Sequence, residues 1–155
     1  MPKREFESLD ALKQAIGHEV AVTDWFQMTQ DRVQQFADAT LDHQWIHVDV
    51  ERAKRESPFK GPIAHGFLTL SMLAHFMHQA VGIKSGLRMG VNYGLNKVRF
   101  VSPVRVGSNI RARFTLQAIK DVEPNGFEAL YNATVESEGA DKPALVAEWL
   151  VRYYK

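Results

Sequence analysis

The sequence predicts an α+β domain in which an antiparallel sheet curls around one buried helix. Strict two-residue alternation recurs three times in the second half, over residues 110–118, 127–135 and 145–153. Pro124-Asn125-Gly126 and the stretch 139–143 supply the turns between these runs. The first half carries helical spacing instead. Its longest apolar stretch, residues 67–80, is apolar around most of its circumference, which suits a helix only inside a core.

Each element has its own signal. Leu9, Leu12 and Ile16 give a short helix over residues 8–16, and Val20, Val22 and Trp25 give a strand over 19–28. Thr29 is placed to cap a helix carrying Val33, Phe36 and Ala37, with Asp31 near the positive end of its dipole. Asp49 is placed to cap another, in which Glu51 and Arg55 stand at i, i+4. Gly61-Pro62 interrupts the chain before the long apolar helix, and Gly82 is its expected stop. A strand follows over 89–100, where the apolar phase shifts between Leu95 and Val98 and so predicts a bulge near Asn96-Lys97.

Length and composition bound the function. The 155 residues fit one domain, with a helical and loop insertion over about 29–65 and no internal boundary. A chain this long buries about 69% of its unfolded surface, enough for a core without staples. With no cysteine there is no disulfide, no thiolate nucleophile and no Cys-based metal site. Nineteen basic against 18 acidic residues provide no overall field for nucleic acid or an anionic membrane. The N-terminus carries charges where a signal peptide needs an apolar run. Residues 67–81, broken by Thr69, Ser71, His75, His78 and Gln79, are too short and polar to span a bilayer. The expectation is a cytoplasmic protein that partners neither nucleic acid nor membrane.

The densest polar cluster runs from Asp38 to Asp49, between two helices. Asp42 and His47, five residues apart on irregular backbone, could converge on one water and share acid–base work. Equally, Asp42 could cap a turn while His47 makes a structural hydrogen bond. Gly66 opens the buried helix, where free N–H groups suit a carbonyl oxygen gaining negative charge; a bend at the helix start would also account for it. His43 with His47, and His75 with His78, have metal-ligand spacings. The first pair lies in a loop and the second shares its helix with no carboxylate, so no metal is expected. Ser71 lacks the flanking glycines of a hydrolase elbow, and a helical serine commonly bonds back to its own backbone. Arg99, Arg105, Arg111 and Arg113 form a basic patch, either solvated or in part available to an anionic ligand.

The segments Asp42-His-Gln-Trp-Ile-His47-Val-Asp49 with Ala53, Pro62-Ile-Ala-His-Gly66-Phe-Leu-Thr-Leu-Ser71, and Asn92 to Phe100 with Pro103-Val104 and Gly107 are similar to those of MaoC-like and R-specific enoyl-CoA hydratases. The branch containing nodulation protein N is the nearest in kind, and the resemblance spans roughly residues 18–154. It implies a hot-dog fold, a homodimer, and an acyl-CoA or acyl carrier protein thioester bound near the subunit interface. It also implies a lyase that interconverts trans-2-enoyl and (R)-3-hydroxyacyl thioesters and needs no cofactor. Asp42 and His47 are then the catalytic pair, and the Gly66 N–H holds the thioester carbonyl. The same segments carry Gln44, His65, Ser71 and Tyr93, expected as substrate contacts. Where the commoner hydratase motif has Gly, Asn and Pro, this chain has Leu41, Gln44 and Trp45. A hot-dog thioesterase and a non-catalytic thioester-binding module are the competing readings.

Overall fold

A computed structural model describes residues 2–155. The chain runs β1 (Arg4–Phe6), α1 (Leu9–Leu12), a 3-10 turn (Lys13–Ala15), β2 (Glu19–Val22), β3 (Phe26–Gln27), α2 (Gln30–Thr40), α3 (Trp45–Val48), α4 (Val50–Glu56) and α5 (Gly66–Ala80). Then come β4 (Val81–Ile83), β5 (Met89–Arg99), β6 (Asn109–Val122), β7 (Gly126–Ser137) and β8 (Leu145–Tyr154). The main sheet is antiparallel in the order β2-β6-β7-β8-β5, with β3 also on β6; β1 and β4 form a small parallel pair. This is the hot-dog arrangement: a curved sheet with its alternating apolar face against one central helix.

The three alternating runs become β6, β7 and β8. They send Ile110, Phe114, Phe127, Tyr131, Leu145 and Trp149 into a core shared with Leu68, Met72, Leu73, Phe76 and Met77 of α5. In β6 the alternation ends sooner than the sequence predicts. The pairing slips between Leu116 and Ala118, which leaves Ala118 exposed and packs Ile119 against the core. The expected bulge in β5 is present between Leu95 and Lys97, and a second lies between Asn92 and Gly94.

The predicted caps Thr29 and Asp49 accept the N–H groups of Arg32 and Arg52 at 3.2 and 3.1 Å, and Ser8 likewise caps α1 by accepting from Ala11 at 3.1 Å. Four local expectations need correction. The helix over 8–16 is a single α turn continued by a 3-10 turn. The strand over 19–28 is broken at Thr23, because the Thr23 hydroxyl, not a strand carbonyl, takes the N–H of Ala112 at 2.9 Å. Helix α4 makes its 2.7 Å pair between Arg52 and Glu56, not between Glu51 and Arg55. Helix α5 stops at Ala80, ahead of Gly82. Val81 already adopts extended backbone and starts β4, in which Gly82 lies opposite Glu5.

Enclosure of α5 is incomplete. Leu68, Thr69, Met72, Leu73, Phe76, Met77 and Ala80 are buried, while Phe67, Ser71, His75 and His78 remain exposed. Ser71 and Ala74 of that open stripe border a cavity shared with β5, the sheet's terminal strand. Among the described residues no helix is long and apolar enough to cross a membrane.

The Phe76 ring, fully buried in the middle of α5, fills space that its neighbours reach only in part. Phe76→Ala is expected to cost about 3–5 kcal/mol of unfolding free energy, read from the urea midpoint at an unchanged slope.

Candidate active site

A cavity of about 400 Å³ opens at the N-terminus of α5, lined among others by Asp42, His47, His65, Gly66, Phe67 and Phe100. Its polar residues come from three separate stretches of chain. They are held together by the extended segment 62–65, which is hydrogen-bonded along both edges. On one side Ala64 N–H donates to Val104 O at 2.8 Å and Val106 N–H to Pro62 O at 3.0 Å. On the other, Ile63 N–H donates to Ile46 O at 3.0 Å, and the Ile63 carbonyl accepts from His47 Nδ1 at 2.7 Å.

That last bond assigns the His47 tautomer. A carbonyl can only accept, so Nδ1 carries the proton and Nε2 is the free lone pair of the neutral ring. Burial pushes the His47 pKa below its usual value, and the neighbouring His65 ring adds to this. Both outweigh the Ile63 hydrogen bond and the Asp42 charge, which act the other way. His47 is therefore neutral at pH 7.

Asp42 follows α2 directly. Leu41 ends that helix in the left-handed region, at φ 64°, and turns the chain so that Asp42 reaches the cavity. This is the place where the commoner hydratase motif has glycine, which adopts that conformation freely. The Asp42 carboxylate is exposed and receives only a long bond, 3.4 Å, from the N–H of Gln44. Its backbone carbonyl is held more firmly, by His65 Nε2 at 3.0 Å.

His65 precedes α5, and its carbonyl takes the N–H groups of Leu68 and Thr69. The first N–H groups of α5, that of Gly66 included, lack intrahelical partners and carry the positive end of the helix dipole. Glycine is needed here for closeness: a Cβ on Gly66 would stand 2.9 Å from the Phe100 ring.

Asp42, His47 and His65 each offer a donor atom within 4.8 Å of the others, so a metal ion has to be considered. The two imidazoles, however, are stacked, with centroids 3.8 Å apart and planes inclined by 22°. An ion held at about 2.0–2.1 Å must lie near the plane of each ring it binds. Two nearly parallel planes so far apart share no such point, and the trio does not suit a metal. Of the other candidate pairs, His43 bonds Asp38 at 2.9 Å and His75 packs its ring on Phe26.

Of the predicted substrate contacts only His65 lines this cavity. Gln44 is exposed and begins α3 without capping it. Ser71 donates back to Phe67 O at 2.7 Å, as its helical position suggested, and with Tyr93 lines a second cavity of about 270 Å³ between α5 and β5. Half of the arginine patch is tied up within the sheet, since Glu136 bonds Arg111 and Arg113 at 2.8 and 2.7 Å. Sequence reasoning missed Phe100, Phe59 and Ser102, which complete the cavity wall. None belongs to a chemical motif, and only the fold brings them to the end of α5.

A hot-dog sheet whose central helix points its N-terminus at an Asp–His pair defines the class, and comparison with known proteins gives the family. The description MaoC like domain matches residues 11–153, and the chain belongs to that family. It is 51% identical over 150 residues to 3-hydroxyacyl-thioester dehydratase Z of Mycobacterium tuberculosis, covering 97% of this chain and 98% of that protein. Nodulation protein N of Rhizobium meliloti is 44% identical over 143 residues, covering 92% and 89%. Among solved structures, the (R)-hydratase from A. caviae involved in PHA biosynthesis superimposes with a TM-score of 0.70 at 22% identity, covering 88% of this chain and 94% of that one.

Leu41 carries a backbone strain of about 1–2 kcal/mol, against about 0.5–1 kcal/mol of extra chain entropy that a glycine loses on folding. Leu41→Gly should therefore raise unfolding free energy by roughly 0.5–1 kcal/mol, measurable by denaturant titration.

Proposed function

We propose that the chain is a lyase that hydrates trans-2-enoyl thioesters to (R)-3-hydroxyacyl thioesters and catalyses the reverse dehydration. The observation that carries this reading is the convergence of the Asp42 carboxylate, the neutral His47 ring and the Gly66 end of α5 on one cavity. The relatives named for thioester dehydration and (R)-hydration support the same reaction.

In the hydration direction, His47 Nε2 accepts a hydrogen bond from the attacking water and Asp42 takes its proton as oxygen adds to C3. The proton taken by Asp42 is then returned to C2 by way of His47 Nε2, so that water is added and neither group is left changed. Negative charge gathers meanwhile on the thioester oxygen, where the Gly66 N–H and the helix dipole stabilise it, typically by several kcal/mol. No covalent intermediate is needed. Asp42 is exposed to water, whereas His47 is buried and burial lowers its pKa, and this contrast divides the acid–base roles.

The carrier is CoA or an acyl carrier protein, and the active unit is a homodimer. Met89, Val91, Tyr93 and Leu95 are 40–55% exposed along β5, whose outer edge has no strand partner. Exposed Phe67 and Phe100 continue this apolar surface into the cavity wall. Such an edge invites pairing unless something covers it, and a second copy meeting it would close the cavity's open side.

Three measurements test the reading. Asp42→Asn is expected to lower enoyl-thioester hydration by 10²–10⁴-fold with the fold intact, followed by loss of enoyl absorbance; full activity in this variant would overturn the assignment. Thiol release from acyl-CoA, tracked in parallel, would point to a thioesterase. Val91→Asp combined with Leu95→Asp should shift the sedimenting species from dimer to monomer and lower activity at least about tenfold.

A further inference from the structure

We propose that His65 is a positioning residue, whose single ring sets the Asp42 turn, the His47 imidazole and the start of α5 in one register. The inference rests on the hydratase reading and assigns this residue a part in it other than substrate contact.

His65 touches all three chemical elements of the site. Its Nε2 donates to the carbonyl of Asp42 at 3.0 Å, which ties down an otherwise exposed turn. One ring face stacks on His47 at 3.8 Å, and its ring also meets Phe36 of α2 at 4.9 Å and 54°. Its own backbone is the N-cap of α5, next to the Gly66 N–H. No other residue links the acid–base pair to the helix end in this way.

The choice of histidine is informative. Phenylalanine would fill the slot between His47 and Phe36 but could not donate to Asp42. Glutamine would donate but could not stack. An imidazole does both, and it does so at a cost. With Nε2–H committed to Asp42, Nδ1 is a bare acceptor, buried and without a hydrogen-bond partner in a residue only 3% exposed. A side chain kept only for packing would avoid that cost. The stack has an electrostatic consequence as well. A proton on either ring opposes a proton on the other, so His65 helps to keep His47 Nε2 free. Among the described residues, the other ionisable group acting on His47 is Asp42, in the opposite sense.

The test compares His65→Phe and His65→Gln with the wild type on one enoyl-CoA across pH. Loss of the Asp42 tether in His65→Phe should lower kcat by about 10–100-fold and leave KM within about twofold, since small misplacements of a reacting group cost this much. His65→Gln, which keeps the donor, should recover most of that loss. In both variants the acid limb of kcat/KM should move to higher pH, because His47 no longer faces a second imidazole. A raised KM at unchanged kcat would make His65 a substrate contact and overturn the proposal, as would an acid limb that stays in place. Nitrogen-15 spectra of the wild type provide a reading that depends on neither folding of the variants nor turnover. At neutral pH His65 should be the Nε2–H tautomer with an unbonded Nδ1, and an imidazolium or an Nδ1–H ring there would refute the assignment. A wild type inactive on every enoyl thioester would refute the hydratase reading instead, while the spectra still decide the tautomer.

Discussion

Pro62–His65 is a four-residue strip bonded on one edge to the loop before β6 and on the other to α3, and the site hangs from it. Without the bonds to Val104 and Val106 the strip would have no fixed height above the sheet. Without those to Ile46 and His47, the short helix α3, only four residues long, would have little to hold it. The imidazole of His47 is thus oriented by a carbonyl whose own position is set by the sheet. Gly66, the next residue along, closes on Phe100 at the end of β5 with no room for a side chain. One strip of backbone converts the rigidity of the sheet into the placement of a proton.

The same constraint explains which features could be read from the sequence. Alternation in β7 and β8, and in β6 as far as Leu116, the helical period of α5 and the caps at Thr29 and Asp49 are local properties, and each appears where the sequence places it. The bulge near Asn96 was legible because a register slip leaves its mark in the hydrophobic phase. Asp42, His47 and Gly66 were legible through the order of their motifs. The stack of His65 on His47 was not, for these residues are 18 apart and meet only because Ile63 pairs with Ile46. Ser71 and Tyr93 show the converse. They sit near the motifs in sequence, yet Ser71 lies more than one helical turn beyond Gly66 and shares its cavity with β5.

Breaks in local pattern also had tertiary causes. Thr23 belongs to a run that reads as one strand, but its hydroxyl intercepts the N–H of Ala112 and the ladder stops there. Trp25, just beyond, lies on the outer face with the Arg111 guanidinium 4.3 Å from its ring. Glu136 then joins Arg111 to Arg113, and Glu19 takes the other side of Arg113. Four arginines that look like one patch in the sequence therefore divide. Two are paired with the sheet's own carboxylates, while Arg99 lines a separate cavity with Lys97 and Glu148, and the Arg105 side chain lies beside Gly61.

The division of labour between Asp42 and His47 follows from where their backbones lie. Asp42 sits at the tip of a turn after Leu41 and is exposed to water. His47 lies inside, with Nδ1 already bonded, so a proton on Nε2 would place a charge in a poorly solvated space beside a second imidazole. An exposed carboxylate thus stands close to an imidazole that burial keeps from taking a proton. The pair is then poised for a reaction in which one proton leaves water as another arrives at carbon. Had His47 been exposed, burial would no longer hold its pKa down, and a proton on Nε2 would fill that position before any water arrived.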